Sequence, residues 1–88
     1  MRVLFIVNPI AGGGRAKKAE RFLASQLKSV RGIESDVAMT REAGHAESIA
    51  HDSVKHGCNR VVAVGGDGTL NEVVNGIISA RGPGASCD

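Results

Sequence analysis

The sequence predicts an α/β domain in three layers, a parallel sheet with helices on both of its faces. Three observations carry that expectation. Val3–Val7 and Val61–Val64 are short, continuous, mostly β-branched apolar runs, as strands covered on both faces are. Stretches with apolar residues at helical spacing lie between and after them, so strands and helices alternate. Glycine-rich turns, Asn8-Pro9-Ile10-Ala11-Gly12-Gly13-Gly14 and Gly65-Gly66-Asp67-Gly68, stand where those two runs end.

Val3 to Val7 is read as strand one, cut off by Asn8-Pro9. Ala16 to Arg31 has helical spacing, with Ala16, Ala19, Phe22, Leu23, Leu27 and Val30 along one face and Gly32 as the stop. Glu34 to Thr40 is strand two, with Val37 and Met39 as its apolar side, and Thr40 to Gly44 is a loop. His45 to His56 is the second helix, through Ala46, Ile49, Ala50, Ser53 and Val54, ended by Gly57. Arg60 to Val64 is strand three. Leu70 to Ala80 is the third helix, with Leu70, Val73, Val74, Ile77 and Ile78 on one face, stopped by Arg81-Gly82-Pro83 before a loop-like tail, Gly84 to Asp88.

With right-handed crossovers the simplest strand order is two-one-three, a Rossmann-like arrangement with helix one on one face and helix two on the other. Strand order then reverses between strands one and three, and ligands of open α/β sheets bind outside the carboxyl ends of the strands at that point. The loops flanking it are Asn8 to Gly14 and Gly65 to Thr69, with Thr40 on the same rim. Topology and motif select one site independently.

The Gly65 to Thr69 turn has the chemistry of an anion site. Glycines permit φ > 0 and close approach to the backbone, and a helix N-terminus offers unpaired N–H groups with a favourable dipole. Asp67 within it would repel a phosphate unless a cation such as Mg2+ bridges the two, or unless Asp67 accepts a proton or a hydroxyl hydrogen bond. A purely structural use is also open: Asp67 in an Asx-type turn, and Thr69 with Glu72 as a capping box. There is no Walker A string and no G-x-G-x-x-G at either turn. Arg15, Lys17 and Lys18 either steer phosphate or form a solvated helix face. His45, His51 and His56 lack the i, i+4 spacing of a helical metal pair and are read as solvent-facing.

Composition narrows the class further. At 88 residues, 42% hydrophobic and 23% charged, the chain has the size and balance of one small globular domain. With no Trp or Tyr, two Phe and a net charge of +2, it has neither the stacking surface nor the charge of a nucleic-acid binder. Cys58 and Cys87 are no disulfide framework and suit a reducing, cytoplasmic setting. No apolar stretch approaches a membrane span or a signal peptide.

Gly65-Gly66-Asp67-Gly68-Thr69-Leu70-Asn71-Glu72 resembles the signature of the diacylglycerol kinase catalytic domain family, which includes bacterial lipid kinases and the sphingosine and ceramide kinases. Val7-Asn8-Pro9-Ile10-Ala11-Gly12-Gly13-Gly14 resembles that family's other early signature, and Thr40 matches a third position. The resemblance covers essentially the whole chain. Its Gly-Gly-Asp-Gly-Thr string is shared with NAD kinases and phosphofructokinases, but the pairing with the Asn-Pro glycine loop is more specific.

The resemblance implies that residues 1–88 are the incomplete N-terminal, nucleotide-binding portion of a larger kinase domain. The lipid site and the general base then belong to an absent, β-rich C-terminal domain; only Asp67 is a candidate base here. The implied reaction transfers the γ-phosphoryl group of ATP, with Mg2+, to a lipid hydroxyl such as that of diacylglycerol. On this reading Gly66, Gly68 and Thr69 offer backbone donors to phosphate. Asp67 is the catalytic candidate, orienting Mg2+ or phosphate-bound water. Asn71 and Glu72 support the loop from the helix. Thr40 borders base or ribose, Asn8 supplies a side-chain amide, and Gly65 and Leu70 complete the cofactor-binding set. Implied partners are ATP, a lipid acceptor, a peripheral membrane contact in the complete protein, and a second copy joined through an open sheet edge. The 88 residues alone are expected to be inactive. Two other readings stand beside this one: a NAD-kinase-like phosphotransferase and a non-catalytic nucleotide-binding or regulatory domain.

Overall fold

The computed structural model describes residues 1–28 and 30–81. Its elements follow the predicted alternation: β1 Arg2–Val7, a 3-10 turn at Ala11–Gly14, α1 Arg15–Lys28, β2 Glu34–Met39, α2 His45–Lys55, β3 Arg60–Val64 and α3 Asp67–Arg81. The strands form one parallel sheet in the order β2-β1-β3. Arg2 to Val7 pair with Glu34 to Met39 on one side, and Val3 to Val7 pair with Arg60 to Val64 on the other.

The pleat of β1 divides the core. Val3, Phe5 and Val7 point to the α1 side, where they pack with Ala16, Leu27, Val62 and Val64. Leu4 and Ile6 point the other way and meet Ala46, Ala50, Val73, Val61 and Ala63 beneath α2 and α3. Phe5, Ile6 and Val7 are essentially sealed from water. A continuous apolar strand is what this central position requires, since both faces are covered. β3, at an edge, is half-buried along Val61–Val64.

The second helix keeps its predicted face: Ala46 and Ala50 are buried, and Ile49, Ser53 and Val54 half-buried. Its end is a Schellman motif. Gly57 has φ +84°, its N–H donates to the Val54 carbonyl, and the Cys58 N–H donates to the Ser53 carbonyl.

The other two helices are rotated from the predicted faces. In α1 the buried residues are Ala16 and Glu20, with Ala24 and Leu27 half-buried one and two turns on, while Ala19, Phe22 and Leu23 face outward. In α3 the buried residues are Thr69, Val73 and Gly76; Leu70, Val74 and Ile78 are 54%, 43% and 49% exposed. Both helices carry apolar residues on two adjacent stripes, so periodicity alone does not select between them. Close approach at Gly76 decides for α3, because the neighbouring α2 backbone leaves no room for a side chain there. α1 ends at Lys28, three residues before Arg31, and Gly32 lies in the turn into β2 with φ +81° rather than at the helix end. Val37, the expected inward residue of β2, is exposed, while Met39 packs under α1. The expected helix stop at Gly82-Pro83, the tail and Cys87 lie outside the described residues. Among the described residues no helix is long and apolar enough to cross a membrane.

Candidate functional site

The carboxyl ends of the three strands are tied together before any loop begins. The Asn8 N–H donates to the Val64 carbonyl at 2.9 Å, and the Thr40 N–H donates to the Val7 carbonyl at 2.8 Å. Asn8 then turns the chain: its Oδ1 accepts the Ile10 N–H at 3.3 Å, and its carbonyl accepts the Ala11 N–H at 3.1 Å. This use of Oδ1 leaves the Nδ2 amide as the group Asn8 offers a ligand. Gly12, Gly13 and Gly14 follow with φ of 61°, 66° and 95°, a left-handed run that residues with a Cβ rarely adopt.

Across the crevice, α3 starts earlier than the apolar spacing predicts. The Gly66 carbonyl accepts the Leu70 N–H at 3.2 Å, so Asp67, Gly68 and Thr69 form the first turn. Their N–H groups have no partner within the helix, and the positive end of the dipole lies there. None of the glycines in this turn has positive φ. The positive φ that glycine permits is therefore not used in this turn. What Gly65 provides is close approach: a Cβ on it would stand 2.5 Å from Thr69 Oγ1 and 3.3 Å from Asn8 Cβ. Gly66 and Gly68 are exposed, and among the described residues nothing beyond their immediate neighbours and own helix lies within 4 Å of where a Cβ would be.

Two adjoining cavities open over these strand ends. The first, about 630 Å³, lies between the Asn-Pro glycine loop, the start of α1 and the α3 turn, and is lined by Gly12, Arg15, Gly65 and Gly66 among others. The second, about 460 Å³, is walled by Thr40, Arg41, Glu42 and Ala43 and floored by Ala46 and Glu72. Asn8, Gly68 and Thr69 line both. Of the ten predicted site residues, Asn8, Thr40, Gly65, Gly66, Gly68, Thr69 and Glu72 are thus brought to one cleft. Asp67, Leu70 and Asn71 line neither cavity and are exposed on the first turns of α3.

The capping-box reading of Thr69 and Glu72 is corrected. Thr69 is buried inside the first turn rather than before it, and Glu72 Oε1 accepts the N–H of Gly44, on the loop leading into α2, at 2.9 Å. Sequence reasoning missed this link because its partner is 28 residues away. It left Arg15 undecided among three basic residues; position separates them, since Arg15 opens α1 at the glycine loop and lines the first cavity, whereas Lys17 and Lys18 do not. Arg41 was missed altogether; its place beside Thr40 was the available signal. The histidines are not merely solvated. His45 Nδ1 accepts the Arg41 N–H at 3.0 Å, His51 Nδ1 pairs with Ser79 Oγ at 2.9 Å, and His56 Nδ1 lies 2.7 Å from the Asp52 carbonyl.

Parallel strands and a cleft at the reversal of strand order, with a helix N-terminus facing it, define an open α/β domain with its cleft at the topological switch point. Comparison with known proteins gives the family. The diacylglycerol kinase catalytic domain matches residues 2–86, and the chain belongs to that family. It is 35% identical over 83 residues to sphingoid long-chain bases kinase 1 of Arabidopsis thaliana, covering 93% of this chain and 11% of that protein. It is 34% identical over 83 residues to a ceramide kinase of Oryza sativa subsp. japonica, covering 90% of this chain and 13% of that protein. Over a shorter stretch of 56 residues it is 46% identical to a probable lipid kinase YegS-like of Xanthomonas euvesicatoria, covering 64% of this chain and 18% of that protein. The chain therefore spans a small part of the length of the relatives it matches.

Proposed function

We propose that these residues are the nucleotide-binding portion of an ATP-dependent lipid kinase, in which the γ-phosphoryl group of ATP passes to a lipid hydroxyl. The observation that carries this reading is the turn Gly65–Thr69. The N–H groups of the first helical turn, which have no acceptor within the helix, the dipole there and the open positions Gly66 and Gly68 stand on a cleft shared with Asn8 and Thr40. Family membership supplies the reaction class. In that reaction the acceptor oxygen bonds to the γ-phosphorus, the bond to the bridging β,γ-oxygen breaks, and ADP leaves. The hydroxyl proton goes to a base that the reading assigns to the rest of the protein. Phosphoryl transfer asks the site mainly to position and to neutralise charge. On this reading the first turn of α3 and the Asn8 amide hold the phosphates, Arg15 adds positive charge at the first cavity, and Thr40 borders the nucleoside in the second.

One carboxylate at this turn, Asp67, is available to Mg2+ carried in with the nucleotide, although it lines neither cavity. Mg2+ is usually held by one or two carboxylates together with phosphate oxygens and water, and Asp67 offers one exposed carboxylate at the phosphate turn. Bound there, Mg2+ would neutralise charge on the β- and γ-oxygens. The relatives' names point to sphingoid bases and ceramide as acceptors, so the acceptor class is a long-chain lipid alcohol, diacylglycerol included. The test is a phosphorylation assay on the full-length protein with labelled ATP and separate vesicles of diacylglycerol, ceramide and sphingoid base. Labelled lipid in one of these is expected. Labelling of NAD with none of any lipid would replace this reading by a NAD-kinase-like one, and absence of ATP binding would overturn both.

A further inference from the structure

The wall of the second cavity is the five-residue connection from β2 to α2, and three of its backbone N–H groups are held by other residues. Thr40 is bonded to the Val7 carbonyl of β1, the Arg41 N–H to His45 Nδ1, and the Gly44 N–H to Glu72 Oε1. The first two tie the wall to the sheet and to its own helix. The third ties it to α3, five residues on from Asp67, on the same rigid helix that opens with the phosphate turn. Gly44 has φ +84° at the start of α2, a backbone conformation that other residues adopt only with strain. Glu72 also lines the cavity. An ionised carboxylate facing a site for an anionic nucleotide is unfavourable unless that carboxylate has another task, and the bond to Gly44 is such a task.

Resting on the nucleotide-site reading above, we infer that Glu72 is a positioning residue: through the Gly44 N–H it sets the distance between the Thr40–Ala43 wall and the Gly65–Thr69 turn, acting as a hydrogen-bond acceptor of the right length and not as a ligand of metal or phosphate. Reach and charge can be separated. Glu72→Gln keeps the Oε1 acceptor at the same length and removes the charge. Glu72→Asp keeps the charge and falls one methylene short. Both retain a helix-compatible side chain, so both are expected to fold.

In the full-length protein Glu72→Asp is expected to raise KM for ATP about tenfold with kcat little changed, the size expected for losing a hydrogen bond to a charged acceptor. Glu72→Gln is expected to stay within about threefold of the parent, since a neutral bond is weaker than a charged one by only a modest factor. Amide hydrogen exchange supplies a readout that does not depend on nucleotide: the Gly44 N–H should be protected in the parent and in Glu72→Gln, and should exchange faster in Glu72→Asp. The inference is overturned if Glu72→Gln is the impaired variant, if both variants are equally impaired, or if both match the parent. Should the parent fail to bind ATP, the nucleotide reading falls, and the exchange of Gly44 still decides whether Glu72 holds the wall.

Discussion

Gly76 of α3 lies against Ala50 of α2 with no space for a side chain between them: a Cβ on Gly76 would stand 2.9 Å from the Ala50 Cβ and 3.1 Å from the His51 nitrogen, with the Glu47 carbonyl closer still. A small residue on each helix lets the two backbones meet. Because α3 opens at the Gly65–Thr69 turn and α2 follows the Thr40–Ala43 wall, this crossing sets the angle at which the two sides of the cleft face one another.

Gly76→Ala is therefore expected to destabilise the domain. Alanine gains up to about 1 kcal/mol of helix propensity over glycine, but overpacking against a backbone carbonyl that cannot rotate away costs roughly 1–3 kcal/mol. A net loss of up to about 2 kcal/mol is expected, read as a lower midpoint in urea with an unchanged slope. An unchanged midpoint would mean that α2 and α3 cross less closely than described.

Gly65 and Gly68 should separate fold from binding. Gly65→Ala drives a methyl into Thr69 and Asn8, so both stability and ATP affinity should fall. Gly68→Val adds its side chain where, among the described residues, nothing outside its own helix turn lies within 4 Å of the Cβ. It should leave the thermal midpoint within a few degrees while reducing ATP affinity at least about tenfold, a change of 1.4 kcal/mol. Equal effects of the two variants on the midpoint would show that Gly68 is also needed for the fold.

Asp67→Asn tests the proposed charge at the phosphate turn. The variant is nearly isosteric, and the loss of a favourable helix-dipole interaction costs up to about 1 kcal/mol. In the full-length protein its turnover should drop by about 100-fold or more, equivalent to roughly 2.7 kcal/mol of transition-state stabilisation. Turnover within threefold of the parent would remove Asp67 from the catalytic set.

Gly57→Ala addresses the α2 stop. The site is open, with nothing within 4 Å of an added Cβ, so the penalty is conformational alone. Holding alanine at φ +84° should cost about 1–2 kcal/mol, measurable as a lower thermal midpoint with ATP affinity preserved.

The strand order and the crevice were legible in the sequence because β1 and β3 are apolar without interruption and glycine turns follow them directly. The inward faces of α1 and α3 were not. Phe22 with Leu23, and Leu70 with Val74 and Ile78, form apolar stripes as strong as those that pack inward, and the choice between stripes is made by tertiary fit. The early start of α3 was hidden because Asp67 and Gly68 are poor helix formers in isolation. Seven of the ten proposed site residues share the cleft because the motif and the strand ends coincide. The Glu72–Gly44 bond is long-range, and nothing local in either segment announces it.

The central position of β1 also governs how the domain assembles in time. One edge of the first strand made waits for the last strand: the Arg2 N–H meets Asn59 Oδ1 across a separation of 57 residues, and β1 pairs with β3 beyond it. Long-range parallel pairing of this kind is slow, because loop-closure entropy is lost before the contacts that offset it are made. During synthesis β1 can join β2 early, but the Asn8 loop has no facing turn until β3 and α3 have left the ribosome. The cleft between the Asn8 loop and the α3 turn therefore forms in a single late step, and a nascent chain halted before that step would carry paired strands with no cleft.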